Sequence, residues 1–245
     1  MKNALIIGGA NGIGLCIATE LAKRTDIQTV NIVDKAQLSE EFNNPKFKCY
    51  QFDLMQSDYR IFNQFQDIDT LMITAGFGKL ALFKDIDENN IVNSFNVNTI
   101  PVMRIIKRFY KKLEYDENFY CGVMVSIAGF MSSPFFSVYA ATKAALKVFI
   151  ESVNVELLKA GSKNQILNVS PGSLKGTSFS GGKTDLSVSS PMAIEIIKHL
   201  ENKDDLFIPQ YEEVFKNVLE RYHQDFRKEG EHSYEYKLKR ITEHL

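Results

Sequence analysis

The sequence predicts an α/β fold, an open, doubly wound parallel sheet of about seven strands with helices on both faces. Three observations predict it. Short apolar runs alternate with segments of helical spacing along nearly the whole chain. The first of these runs, Asn3–Ile7, enters a glycine loop, Gly8-Gly9-Ala10-Asn11-Gly12-Ile13-Gly14, that opens a helical segment. No repeat, linker or composition break divides the 245 residues, 44% of them apolar, so 1–245 reads as one Rossmann-type domain.

Asn3–Ile7 reads as a buried strand, and Ile17, Ala18, Leu21 and Ala22 give the next segment helical spacing. Strand, glycine loop, helix is the setting a dinucleotide site requires. Glycines let the backbone turn tightly and approach a pyrophosphate, and the helix start offers unpaired N–H groups and a positive dipole end. Gly8, Asn11, Gly12, Ile13 and Gly14 are therefore candidate cofactor residues; the plainer alternative is an ordinary turn. Residues 29–33 read as the second strand, ending in Asp34, 20 residues past Gly14. A carboxylate there can bond the adenosine ribose hydroxyls and would repel a 2′-phosphate, which points to NAD rather than NADP, although Lys35 beside it pulls the other way.

Residues 47–52 read as the third strand, followed by Asp53-Leu54, and 57–65 have helical character. A fourth strand, 70–73, runs into Thr74-Ala75-Gly76. Residues 85–113 carry one long helical pattern in which Pro101 should impose a bend just after Asn98. Asn98 falls on the apolar side and so needs a hydrogen-bonding partner. A fifth strand, 121–126, precedes the helix Ser137–Lys159, and a sixth, 166–169, runs into Ser170-Pro171-Gly172-Ser173. Residues 174–189 are rich in Gly, Ser, Thr and Lys, lack periodicity and read as a substrate lid loop. Residues 192–200 read as helix and 206–208 as a seventh strand. Val214, Phe215, Val218, Leu219, Tyr222 and Phe226 form the apolar stripe of a final helix, and 230–245 reads as a charged tail.

Composition excludes several classes. A formal net charge of -1 gives no electrostatic case for nucleic acid or an anionic membrane. No apolar run is long enough to span a bilayer, and the start of the chain lacks the pattern of a signal peptide, so the expected location is cytoplasmic. Cys16, Cys49 and Cys121 sit in apolar segments without metal or redox spacing and read as free, buried thiols. The four histidines show no metal-ligand spacing.

The reactive stretch is Ser126 to Lys143. Of the ten tyrosines only Tyr139 has a lysine four residues on, which places Tyr139 and Lys143 one turn apart on one helix face. An ammonium beside a phenol favours the phenolate, so the phenol's pKa is expected to fall and the group becomes a usable acid/base. Ser126 ends a buried strand, at the edge where open α/β sheets bind ligands. Singly, each residue could be an ordinary helix or strand-end side chain.

Taken in order, these residues resemble the short-chain dehydrogenase/reductase family over about residues 1 to 210. Gly8, Gly12 and Gly14 match its glycine loop, Asp34 its NAD-type acid, Asp53 its adenine-contacting aspartate, and Ala75-Gly76 the end of its N-N-A-G motif. Asn98, Ser126, Tyr139 and Lys143 match its catalytic tetrad, with the 13-residue interval from serine to tyrosine, and Pro171-Gly172 match the motif after the sixth strand. Ile7 replaces the usual threonine, Ile73-Thr74 the usual pair of asparagines, Thr177 lies one position late, and the chain's C-terminal part departs from the family ending. The resemblance implies an NAD(P)-dependent oxidoreductase that interconverts a secondary alcohol and a ketone, a small-molecule substrate, and a homodimer or homotetramer. It implies Tyr139 as acid/base, Lys143 on the nicotinamide ribose, Ser126 on the substrate oxygen, and Asn98 ordering a water. Leu54 joins Asp53 among the implied cofactor contacts. A catalytically silent dinucleotide sensor or scaffold and an NAD-using epimerase or dehydratase are the alternative readings. Phe130, Met131, Phe135, Phe136 and Phe179 are candidates to line an apolar pocket.

Overall fold

The apolar runs assemble into one sheet. A computed structural model describes residues 1–177, 179 and 183–242. Its seven strands are β1 (Asn3–Ile7), β2 (Thr29–Asp34), β3 (Phe47–Gln51), β4 (Thr70–Ile73), β5 (Tyr120–Met124), β6 (Ile166–Val169) and β7 (Leu206–Phe207). All pair in parallel, in the order β3-β2-β1-β4-β5-β6-β7. The chain order reverses between β1 and β4, where Ile7 stands beside Ile73. A crevice opens at such a reversal, beyond the carboxyl ends of the strands.

Alternation explains the two layers. Leu5 and Ile7 of β1, Leu71 and Ile73 of β4 and Cys121 and Val123 of β5 enter one core. Ala4, Ile6, Met72, Met124, Leu167 and Val169 enter the other. With both faces covered, the central strands read as continuous apolar runs. The helices α1 (Gly12–Ala22) and α5 (Leu186–Glu201) cover one face, and α3 (Ile100–Tyr115) and α4 (Ser137–Lys159) the other. Between them α2 (Glu88–Asn98) ends at Thr99, whose φ of -121° and ψ of -62° break the helix before Pro101. The expected bend is thus a junction of two helices.

Four expectations need correction. Residues 57–65 hold only the short 3-10 turn Arg60–Gln64. Tyr59, Phe62 and Phe65 bury their rings there, packed edge-on against Phe52 and Tyr50 at centroid distances from 5.1 to 5.4 Å, and Arg104 lies 3.7 Å over the Tyr59 ring. Core packing of these five rings outweighs the helical pattern. Helix α5 starts six residues earlier than the reading of 192–200, inside the expected lid, because Asp185 caps it by accepting from the Ser187 and Val188 N–H groups. Pro191 lies within that helix. Of the expected lid, residues 178 and 180–182 lie outside the described residues. Cys49 is exposed on the edge strand β3, whereas Cys16 and Cys121 are buried. Finally, the charged tail is the helix α7 (Phe226–Thr242), which follows a π-helical turn, Tyr211–Phe215, and α6 (Lys216–Gln224). The Arg221–Glu229 ion pair, 2.6 Å, ties α7 to α6, and Leu219 of α6 packs on Ile127 and Ile208.

Candidate active site

At the reversal of strand order the backbone is packed too closely for side chains. Gly8 has φ +85°, and a Cβ there would stand 2.6 Å from the Ala75 nitrogen. A Cβ on Gly14 would lie 2.1 Å from the Gly8 carbonyl oxygen and 2.4 Å from Thr74 Oγ1. Only glycine fits either place, so the ends of β1 and β4 and the start of α1 form a floor of bare backbone. Asn11 precedes α1 in extended conformation and its carbonyl accepts the Leu15 N–H at 3.1 Å. Buried Ile13 lines a cleft with Ser173, Leu174 and Met192. The Gly12 N–H, at the positive end of α1, donates to Thr184 Oγ1 at 2.8 Å. The Thr74 hydroxyl ties β4 to the end of β1, bonding the carbonyls of Ile7 and Gly8, both at 3.0 Å.

Asp34 is fixed by two backbone donors, Ala10 N–H and Ala36 N–H, each at 3.0 Å. An open depression beyond it is lined by Lys35, Ala36, Gln51, Phe52, Asp53 and Gln56. Asp53 accepts from the Met55 N–H at 2.9 Å, and the Leu54 carbonyl from the Tyr59 hydroxyl at 2.6 Å, so Leu54 contributes backbone geometry there.

On the other side of the reversal the tetrad residues converge. Ser126 follows β5 and caps a 3-10 turn, Ile127–Gly129; its Oγ accepts from the Ala128 N–H at 3.2 Å. Pro171 turns its carbonyl to this point, accepting from the Ile127 N–H at 3.0 Å and from the Ser126 hydroxyl at 3.5 Å. Gly172 beside it packs against the Phe215 ring. The Ser126 hydroxyl faces the Tyr139 phenol closely enough to favour its ionised form. Phe136 and Phe179 stand 5.7 and 5.3 Å from the Tyr139 ring, centroid to centroid. Lys143, 2% exposed, donates to the Met124 carbonyl at 2.8 Å, and its Nζ lies 5.6 Å from the Tyr139 ring centroid. Asn98 is wholly buried: its Oδ1 accepts from the Phe77 N–H at 2.9 Å, and its Nδ2 donates to the Phe77 carbonyl at 2.8 Å and to Thr142 Oγ1 at 3.1 Å. Gly76 sits between them, with its Cβ direction 3.3 Å from Asn98 Oδ1 and 3.5 Å from Lys143 Nζ.

The electrostatics differ from the expectation. Burial pushes the Tyr139 phenol up to about 12, against a smaller downward pull from the Ser126 hydroxyl. Burial also pushes Lys143 down to about 8. The ammonium bonds a neutral carbonyl and lies 5.6 Å from the phenol ring centroid, so desolvation outweighs the lysine's help. Among the described residues no cluster of three or more His, Cys, Asp or Glu side chains forms a metal site, and no helix is long and apolar enough to cross a membrane.

The sequence profile described as short chain dehydrogenase matches residues 2–185. The chain belongs to the short chain dehydrogenase family. Its relatives within the family include an uncharacterized oxidoreductase, TDA5, of Saccharomyces cerevisiae, 25% identical over 212 residues, which cover 80% of this chain and 64% of that protein. Retinol dehydrogenase 8 of Bos taurus is 26% identical over 230 residues, 89% of this chain and 73% of that one. Among solved structures, a short chain dehydrogenase/reductase from Burkholderia phymatum in complex with NAD superposes with a TM-score of 0.79 at 16% identity, covering 92% of this chain and 94% of its own. An alcohol dehydrogenase from Thermococcus sibiricus complexed with 5-hydroxy-NADP gives 0.70 at 18% identity, covering 85% and 95%. These two share the short chain dehydrogenase fold. The backbone floor of Gly8, Gly14 and Gly76, with Asp34 at one end and Lys143 at the other, fits an extended dinucleotide.

Residues that the linear reading passed over complete the site. Thr142 links Asn98 to the helix start, donating its hydroxyl to the Tyr139 carbonyl at 2.6 Å. Its position three residues after Tyr139 was the available signal. Thr184 arrives from a distant part of the chain and leaves no local pattern.

Proposed function

We propose that this short chain dehydrogenase is an NAD-dependent oxidoreductase interconverting a secondary alcohol and a ketone, with Tyr139 as its acid/base. The observation that carries the reading is the convergence of Ser126, Tyr139 and Lys143: the Ser126 hydroxyl favours the ionised phenol, and the buried Lys143 Nζ lies 5.6 Å from the Tyr139 ring centroid and beside Gly76 of the glycine floor. Gly8, Asn11, Gly12, Ile13 and Gly14 would hold the pyrophosphate; Asp34 the adenosine ribose; Asp53 and Leu54 the adenine side; and Ala75, Gly76, Tyr139, Lys143, Pro171 and Gly172 the nicotinamide half. When bound, the nicotinamide supplies or accepts the hydride. Tyr139 gives a proton to the carbonyl oxygen in reduction and takes one from the hydroxyl in oxidation. Ser126 donates to the same oxygen and fixes its position. Asn98, committed to Phe77 and Thr142, holds the floor beside Lys143 and leaves an Oδ1 lone pair for a proton-relaying water. Phe136 and Phe179 exclude water around the phenol. A protein that only sensed a dinucleotide has no use for a fully buried ammonium, which is costly to keep. The test is a panel of alcohols and ketones assayed with NAD and NADP by nicotinamide absorbance. No turnover by a protein that binds NADH overturns the reading.

Cofactor choice follows from Asp34. NAD is expected to be preferred over NADP by about tenfold or more, the worth of one partly screened like-charge contact. Asp34→Ser is expected to remove most of that preference, and a ratio of kcat/KM values favouring NADP in the unmodified protein would show the assignment of Asp34 to be wrong.

A homodimer or homotetramer is the expected assembly. Helix α4 leaves Val148, Val155 and Leu158 exposed, and Val92 and Ile100 are exposed near the α2–α3 junction. Apolar side chains at that density on neighbouring helices favour a second copy of the chain. Light scattering is expected to give a multiple of 27.9 kDa, and a monomer mass at micromolar concentration contradicts it.

A further inference from the structure

The turn that leads into the catalytic helix is held by the far end of the chain. Gly230, Tyr234 and Lys237 lie at i, i+4 and i+7 on α7, hence on one face. That face meets five consecutive residues, 132–136. The Cβ direction of Gly230 points to Ser132 Oγ at 3.2 Å, and that buried hydroxyl has no hydrogen-bond partner among the described residues. The Tyr234 ring packs on Phe135 at 4.8 Å. Lys237 Nζ donates to Ser133 Oγ at 2.7 Å and to the Pro134 carbonyl at 2.9 Å, and lies 5.6 Å over the Phe136 ring.

The turn needs holding. Phe135 has φ +65°, a left-handed conformation that a bulky side chain does not keep unless its surroundings impose it. Its carbonyl accepts from the Ala81 N–H at 2.9 Å, and the Phe136 carbonyl accepts the Ala140 N–H at 2.7 Å at the start of α4. Phe136 also supplies one ring of the wall around Tyr139. Lys237 itself is expensive to place there. It is partly buried, forms no ion pair among the described residues, and burial pushes it down to about 8. A tail helix that served only to cover apolar surface needs no lysine at this point.

We propose that Lys237 is a positioning residue for the substrate side of the site: by pinning Ser133 and Pro134 it fixes the Phe136 wall and the depth at which Tyr139 meets the substrate oxygen. The proposal rests on the oxidoreductase reading for its kinetic consequence. Lys237 touches neither the cofactor floor nor the reacting atoms, so its removal acts on kcat/KM for the alcohol or ketone and spares the dinucleotide. A displacement of the phenol by a fraction of an ångström is enough to be measured.

The experiment compares Lys237→Met, Lys237→Arg and Ser133→Ala with the unmodified full chain. Lys237→Met is expected to lower kcat/KM for the best substrate of the panel about 10- to 100-fold. The NADH dissociation constant, read by nicotinamide fluorescence, is expected to stay unchanged. Lys237→Arg is expected to restore most of the loss, and Ser133→Ala to reproduce a smaller loss without altering α7. Hydrogen exchange at the Phe136 and Ala140 amides is expected to quicken in Lys237→Met. Unchanged kcat/KM, or a parallel loss of NADH binding and thermal stability that Ser133→Ala does not share, overturns the proposal. If the unmodified protein turns over nothing, the oxidoreductase reading falls, and the exchange rates alone then decide: unchanged protection at residues 133–140 overturns the positioning role, and quickened exchange confined to them upholds it.

Discussion

Tyr139→Phe is expected to lower turnover about 10²–10⁴-fold, the usual worth of general acid–base catalysis, and to leave NADH binding essentially intact. The substitution deletes the hydroxyl but keeps the ring packed against Phe136 and Phe179. The fold and the glycine floor are untouched, because Gly8, Gly14 and Asp34 hold their places without Tyr139. The pH profile checks the same group. With the phenol pushed up to about 12, the phenolate fraction grows with pH, so alcohol oxidation by the unmodified protein is expected to climb from neutral pH to about 10. Ketone reduction needs the protonated phenol and is expected to stay level over that range. A plateau in oxidation well below 10 would mean that Lys143 leaves the Met124 carbonyl for the phenol when the cofactor is present. Turnover by Tyr139→Phe at the unmodified rate removes the mechanism.

Lys143→Met is expected to abolish most activity and at the same time to stabilise the free protein at neutral pH. The sign follows from linkage. An unperturbed lysine titrates at 10.5, and burial pushes Lys143 down to about 8 in the fold, so below pH 8 the folded state carries an ammonium that it disfavours. That deficit is relieved as pH rises from about 8 to 10.5, where the unfolded chain binds more protons than the folded one. The downward shift corresponds to about 3 kcal/mol, from which the lost bond to the Met124 carbonyl takes back about 1–3 kcal/mol. A net gain near 1 kcal/mol raises the Tm by roughly 2–4 °C in a chain of this size. Calorimetry at pH 7 and pH 10 measures both parts: the variant is expected to melt later at pH 7 and to lose that advantage at pH 10. A lower Tm at pH 7 with an unaltered pH slope contradicts the account. Methionine keeps the aliphatic stem in place, so packing changes little.

The parts of the site that were legible in the sequence are those written over short distances. The glycine loop follows a strand and opens a helix, and Tyr139 and Lys143 are one turn apart, so both declare themselves by spacing. Asn98 stood out as a polar residue in an apolar stripe, and its three hydrogen bonds to Phe77 and Thr142 answer that need. The seven strands were legible because β1, β4 and β5 carry apolar residues on both faces, while their order in the sheet was not. What remained hidden lies in pairings that no window contains. Thr184 meets Gly12 across 172 residues of sequence, and Lys237 meets Ser133 across 104. The aromatic turn at 59–65 misread as helix for a related reason. Its rings at Tyr59, Phe62 and Phe65 fall at helical spacing, yet they serve a cluster with Tyr50 of β3 and Phe52 just after it. The tail helix α7 carries mostly charged residues, and its few anchoring side chains gain meaning only against residues 132–136.

The hydroxyl of Thr184 on the Gly12 N–H gives ligand binding at this end of the cleft the character of an exchange. The donor that a phosphate oxygen would take is already satisfied, so a dinucleotide gains only the difference between an anionic acceptor and a neutral one at that point. The displaced hydroxyl sits directly ahead of Asp185, the residue that caps α5, and α5 packs against α1 on the same face of the sheet. A phosphate arriving at the first turn of α1 would in this way be coupled, through a single traded hydrogen bond, to the first turn of α5.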